Sequence, residues 1–439
     1  QNISQYFLGG QSPTQTTEDR HLLLRQDAFS LDYNHRINAE SHYGNIVVKA
    51  DASQDDGLTD YTDGLTQKIT TPEVNLTAAI NQTYTLGRNT VEWKSTLDYN
   101  YAKDKFNLTH QNDSASATLH PYSDELTNNL WHTSHSLSWN RQYGKWHTDN
   151  GLRLEAENLN VAHENNVLLQ GALAPSCYYK DEDWRISFSP SITLKRFTHQ
   201  GSTLLLPQGS VYINRDYGNR SNWNLSLSYN ESTSAWNDLA ISHRRTDYRT
   251  WMDAPDFIPR TRSLLSSFGY NYKRAIYQFF SNFKVSASRI WNSAAMDMVI
   301  NDGNYNYAWM RHNSHSDNIN GSVYLSKGWK AIHLKTNLSL NGNYSKGEQY
   351  SAGKMIDYRY TSYAFSPELV FSPAWMEIEY KGDFSFNRSK AGGDWTKTLA
   401  NWTQRLTLIS TIGNVDLSLS GVLYHNEIQN SPSANTLLT

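Results

Sequence analysis

Fifteen histidines are the first residues in this sequence that could hold a metal or move a proton. Their spacing argues against it. His132 and His135 stand three apart, as do His312 and His315. On a helix that interval points both rings one way, but on a strand it sends them to opposite faces, and both pairs fall in strand-like segments. No His-Glu-x-x-His motif and no Gly-x-Ser-x-Gly nucleophile turn occurs, so no catalytic constellation and no enzyme is expected. The stretch "DASQDDGLTDYTDG" collects Asp51, Asp55, Asp56, Asp60 and Asp63. Hard cations such as calcium take several oxygen ligands, and a loop could gather these. The spacing departs from the EF-hand loop, so a solvated acidic loop is the plainer reading, and neither metal nor cofactor is expected. A third group is aromatic: Trp236, Trp251, Trp291, Tyr305, Tyr307 and Trp309 lie in long polar segments. Aromatic faces bind sugar rings and flat chelates, and loops on rigid scaffolds carry many binding residues. These six are the ligand-binding candidates. The alternative is that they pack loop against loop.

The scaffold that must position them shows in the hydrophobic pattern. In "SLSWNRQYGKWHTDNGLRLEAE", Leu137 and Trp139 alternate with polar neighbours before a turn at Tyr143 and Gly144. Trp146, Leu152, Leu154 and Ala156 alternate after it, with Thr148 and Asn150 breaking the pattern on the same face. Period-two segments of this kind recur along the chain, and helical stripes do not. Aromatics reach 13% while charged residues stay at 18%, a balance that suits pleated surfaces better than charge-driven disorder. A net charge of -3 leaves no basic footprint for nucleic acid. Cys177 is the sole cysteine, which excludes an intrachain disulfide framework. No apolar run reaches the roughly 18 residues of a transmembrane helix.

About nine hairpins are expected, hence roughly 18 strands. Short turns, as at residues 273–277, 327–330, 372–374 and 412–414, alternate with long polar connections, as at 55–72, 103–128, 232–261 and 291–313. That asymmetry is the one a transmembrane β-barrel shows. Trp93, Trp139, Trp146, Trp184, Trp223, Trp329 and Trp375 all lie near a short turn. Indoles prefer the membrane–water interface, so these seven are expected to form a membrane-interface girdle. A soluble β-sandwich or propeller is the rival architecture, but it leaves the alternating loop lengths unexplained.

Several stretches, among them "HRRTDYRTWMDAPDFIPRTRSLLSSFGYNYKRAIYQFFSNFKVSASRIWNS", "FSPELVFSPAWMEIEYKGDFSFNRSK" and "NWTQRLTLISTIGNVDLSLSGVLYHNE", resemble the barrel of TonB-dependent outer-membrane receptors of the Bacteroidetes type. The resemblance runs from about residue 20 to 427 as loose aromatic patterns. It implies an all-β antiparallel barrel of a probable 22 strands, of which residues 1–439 supply a part. The plug, an N-terminal regulatory domain and the last strands would lie outside this sequence. It further implies a Gram-negative outer-membrane location, outer-membrane lipid around the barrel, contact with the TonB complex through the plug, and in some cases a partner surface lipoprotein. The expected function is capture of a nutrient, whether small molecule, glycan or peptide, for energised import. A passive porin-like channel and a soluble β-rich adhesin or lectin are the alternatives.

Overall fold

A strand crossing hydrocarbon meets no water, so its backbone N–H and C=O groups must pair with neighbouring strands. A computed structural model shows how this sequence meets that demand. It describes residues 2–4, 15–17, 20–61, 65–110, 122–161, 164–198, 200–218, 220–234, 239, 243–245, 250–301, 304–351, 353–392, 395–412, 415–428 and 431–437.

Nineteen strands build one antiparallel sheet whose order runs round as a barrel. The first seven are β1 (Arg20–Ala39), β2 (His42–Tyr61), β3 (Leu65–Leu86), β4 (Asn89–His110), β5 (Tyr122–Tyr143), β6 (Trp146–Val161) and β7 (Glu164–Lys180). Then come β8 (Trp184–Phe197), β9 (Ser202–Tyr217), β10 (Ser221–Thr233), β11 (Arg260–Arg274), β12 (Phe279–Asn301) and β13 (Asn304–Trp329). The remainder are β14 (Leu334–Ser351), β15 (Lys354–Phe371), β16 (Glu377–Ala391), β17 (Trp395–Ile412), β18 (Val415–Ile428) and β19 (Ser431–Leu437). Each strand pairs in antiparallel register with its neighbours in sequence, and no register is described for the seam between β19 and β1. A separate short ribbon pairs Asn2–Ser4 with Gln15–Thr17.

One end of the barrel carries the tight turns. Gly87 and Gly144 have φ of 63° and 59°, the left-handed backbone that two-residue hairpin turns place on glycine. Two further turns are single 3-10 turns, Ala275–Tyr277 and Lys330–Ile332, closed by Gln278 and His333 in the left-handed region. At the turn between β7 and β8 the Lys145 ammonium lies 2.7 Å from the Asp181 carboxylate. Hydrogen bonds from Lys145 first, then from the Glu182 N–H and the Tyr179 hydroxyl, hold that carboxyl below its usual range.

The two faces of the sheet differ as a membrane requires. Phe29, Leu31 and Tyr33 alternate on one face at 57–67% exposure, and Leu417 and Leu419 do the same at 53% and 67%. The ladder pairs Leu137 with Leu152 and Leu152 with Leu173, so apolar side chains meet apolar side chains along a band. The opposite face is polar and hydrogen-bonded. Asn100 donates to Glu73 at 2.8 Å, Asn271 to Asn222 at 2.7 Å, and Asn337 to Glu368 at 2.8 Å. The most connected of these groups joins β4 to β7. The buried Glu155 pairs with Arg153 and accepts from Gln170 at 2.6 Å. His132 lies 3.7 Å from Glu155 through Nε2 and 3.1 Å from Asp98 through Nδ1. An apolar band facing outward and a wet, polar inner wall are the two surfaces of an outer-membrane barrel.

Three of the four expected long loops are instead continuations of the sheet. β2 ends at Tyr61 and β3 begins at Leu65; β12 ends at Asn301 and β13 begins at Asn304. β4 runs to His110 and β5 starts at Tyr122, with 111–121 outside the described residues. β13 has 26 residues, far beyond the roughly 9–11 that a tilted membrane strand needs. Past the bilayer both faces of a hairpin are wet, so hydrophobic alternation fades from the sequence while the backbone ladder persists. Of the four connections, the one between β10 and β11 carries described residues that leave the barrel wall.

Replacing Glu155 with Ala removes the acceptor shared by Arg153 and Gln170 on the inner wall. A loss of about 1–3 kcal/mol is expected, read as a lower urea midpoint for unfolding of the bilayer-reconstituted protein.

Candidate functional site

The sequence between β10 and β11 positions the one packed apolar cluster among the described residues. Phe197, Leu204, Leu206 and Leu168 sit on the inner wall of β7 to β9, opposite the exposed Leu169, Leu194 and Leu205. Much of the inner wall is polar; here Leu239 is buried on these four side chains and Ile258 packs beside them. The connection therefore folds as a strap into the mouth of the barrel, at the end opposite the tight turns. Its middle forms a ribbon of His243–Arg245 and Thr250–Asp253, which then pairs in parallel with β13 at Tyr305 to Tyr307. Arg311 of β13 stands over the Phe257 ring at 4.9 Å and lies 3.8 Å from Asp256. The strap is thus held on two sides of the mouth.

Beneath it the inner wall encloses a cavity of about 390 Å3 whose lining includes Arg153, Gln170, Lys195, Gln208 and Leu206. Two cations, the Glu231 carboxylate and two amides beside a leucine can hydrogen-bond a polar ligand and bury an apolar edge. A second cavity of about 540 Å3 lies at the rim between β10 and β13, lined by Tyr229, Arg260, Arg262, Trp291 and Ser293. There the buried Glu231 lies 3.5 Å from Arg260 and 3.3 Å from Arg262 and accepts from the Tyr229 hydroxyl at 3.3 Å. A bulge between Asn292 and Ala294 opens this corner, and the Ser293 hydroxyl that it frees accepts from the Arg260 N–H at 2.8 Å.

The six aromatic candidates do not converge. Trp236 lies outside the described residues. Trp251 pairs with Asn306, which sets it on the face opposite Tyr307 and Trp309; the side chain of Tyr305 lies outside the described residues. Trp309 stands opposite Met296, half-buried, with its indole nitrogen unpartnered. Trp291 is lower on the wall, paired with His315 and under the Arg289 guanidinium at 5.6 Å. Of the acidic group, Asp55 and Asp56 are consecutive residues of β2 and so face opposite sides; Asp60 is the penultimate residue of the same strand and Asp63 lies outside the described residues. The described part of the acidic stretch is therefore strand, paired on both sides. Strand alternation also separates the histidines: His132 reaches Asp98 while His135 meets Ser95 at 2.9 Å.

The seven tryptophans assigned to a girdle all lie near the tight-turn end. Trp93, Trp139, Trp146, Trp329 and Trp375 are 43–67% exposed. Trp184 and Trp223 meet edge-on with centroids 6.0 Å apart, and Arg215 lies over Trp184 at 4.7 Å. Sequence reasoning missed the strap anchors Leu239 and Ile258 and the Glu231 cluster. The two buried prolines Pro255 and Pro259 in "DAPDFIP" were the available signal for an ordered connection.

Together the single sheet, the apolar band and the polar inner wall define a transmembrane β-barrel. Among solved structures the chain resembles the copper transporter OprC, with a TM-score of 0.50 and 10% identity over 95% of this chain and 78% of that one. It is also similar to the siderophore receptor PirA from Pseudomonas aeruginosa, with a TM-score of 0.46 and 11% identity over 91% of this chain and 77% of that one. A third likeness is the FrpB iron transporter from Neisseria meningitidis, with a TM-score of 0.41 and 9% identity over 96% and 78%. No family model matches the chain, and no curated protein does.

Exchanging Leu239 and Ile258 for Asp removes the apolar grip of the strap, at a cost of about 2–4 kcal/mol. Limited trypsin digestion of the purified barrel is expected to cut after Arg244 and Arg245 at least tenfold faster in this variant, with the strands left intact.

Proposed function

We propose that this chain is the barrel of a TonB-dependent receptor in a Gram-negative outer membrane, one that captures a nutrient at the strap-covered mouth for energised import. The observation that carries this reading is the strap, whose Leu239 and Ile258 pack on the inner wall beside a polar cavity containing Arg153 and Lys195. An ordered segment anchored on the inner wall gives the opening a surface that can select what enters. The likeness to transporters and receptors in fold supports the reading, and the aromatic patterns of the sequence favour the Bacteroidetes type. The cations, carboxylate and amides of the cavity suit a polar ligand, and specificity resides in the strap and rim rather than in the shared barrel. A plug supplied by chain outside residues 1–439 would contact TonB, and a surface lipoprotein would present the ligand.

The seven tryptophans Trp93, Trp139, Trp146, Trp184, Trp223, Trp329 and Trp375 anchor the barrel at the interface on the tight-turn side, where an indole can keep its ring apolar and its N–H wet.

Two experiments test this. For the full-length protein purified from outer membranes, planar-bilayer recordings are expected to show no steady conductance, and mass spectrometry an intact mass well above 50.3 kDa. Steady porin-like conductance from a chain near that mass would replace the receptor with a passive channel. Trp139→Asp with Trp146→Asp is expected to lower outer-membrane levels of the full-length protein severely. Normal levels of that double variant would refute the girdle.

A further inference from the structure

Above the apolar band, the outer face of β12 to β16 carries one row of charge. Arg289 pairs in register with Asp317, Asp317 with Lys346, Lys346 with Arg359, and Arg359 with Lys390. All four cations are exposed. Arg289 reaches Asp317 at 3.3 Å; among the described residues Lys346, Arg359 and Lys390 have no ion-pair partner. Arg388 adds a fifth exposed cation on the same face, two positions from Lys390. The acids nearest the row are Glu348, which faces His315 at 3.6 Å, and Asp357.

Like charges directly opposite each other on a ladder are destabilising. Lys346, Arg359 and Lys390 occupy three adjacent strands, about 5 Å apart, and the three acids on this face, Asp317, Glu348 and Asp357, do not balance the five cations. An anionic partner would. The position of the row says which one. On the same face, just nearer the tight turns, Ile319, Tyr363 and Phe386 are 48%, 61% and 49% exposed, as side chains facing hydrocarbon must be. Lys346 lies about twelve positions along β14 from its tight-turn end, which is about 40 Å of strand. At a tilt of about 40° that is about 30 Å of height, just past an apolar band about 25 Å tall. The row therefore meets the headgroup layer of the leaflet on the strap side.

The geometry points to a binding site for the phosphate groups of anionic lipid headgroups, formed by Arg289, Lys346, Arg359, Lys390 and Arg388. A straight row on an open wall encloses no single ion; it fits a lattice of phosphates already held at one height by their acyl chains. This inference rests on the reading of the chain as an outer-membrane barrel.

The test is electron paramagnetic resonance of the full-length protein in phosphatidylcholine vesicles, with trace spin-labelled phosphatidylglycerol or spin-labelled phosphatidylcholine. The immobilised fraction of the anionic label is expected to exceed that of the neutral one several-fold. The triple variant K346Q, R359Q and K390Q should lose that excess. The triple variant K94Q, K284Q and K335Q, which removes the same charge from the inner face, should keep it, and excess inorganic phosphate should leave it unchanged. Wild-type selectivity in the row variant, equal loss in the inner-face variant, or displacement by inorganic phosphate would each overturn the lipid assignment. Failure of the wild type to enter vesicles at all would instead overturn the barrel reading beneath it.

Discussion

Every backbone polar group inside a bilayer must be paired within the protein, and the rest of this structure follows from that constraint. Strand upon strand in antiparallel register satisfies it, from β1 through β19, without a helix crossing the membrane. Once the ladder is fixed, so is the period. Each strand must show one side chain outward and the next inward, and the two environments differ as much as hydrocarbon and water do. Leu137, Leu152 and Leu173 therefore line up across three strands on one face, while Glu155, Arg153 and Gln170 join on the other.

An open barrel has no three-dimensional core in the ordinary sense. Its side chains are divided between two surfaces, and most large apolar residues are exposed to what surrounds the wall. The strap is the exception. Leu239 and Ile258 close over Phe197, Leu204, Leu206 and Leu168, so the hydrophobic effect that elsewhere holds the barrel in lipid here holds a connecting segment against the wall. This places an ordered segment near a cavity with Arg153 and Lys195. The charge row on the outer wall is the counterpart at a different height: above the band, outward positions no longer need to be apolar, and cations there look onto headgroups rather than acyl chains.

The fold class was legible in the sequence because lipid and water impose opposite demands on alternate residues. The hairpin with Trp139 and Trp146 could be read almost residue by residue, including the polar Thr148 and Asn150, which the register sets opposite Arg141 and Trp139. The segments at 55–72 and 291–313 could not, since both faces of an extramembrane hairpin are wet and leave no period to read. Asp55 and Asp56 looked like a loop cluster for that reason, and a ladder separates them.

By itself, then, the sequence determined a two-faced sheet, its tight-turn end and the tryptophans gathered there. These are local properties, set by neighbours one or two positions away. Only the tertiary structure decided which distant residues share a rung or a cavity. Leu239 finds Phe197, Trp251 is parted from Trp309, and Lys346 stands between Asp317 and Arg359, because register between strands is fixed by closure and stagger of the whole sheet. No short stretch of sequence encodes that stagger.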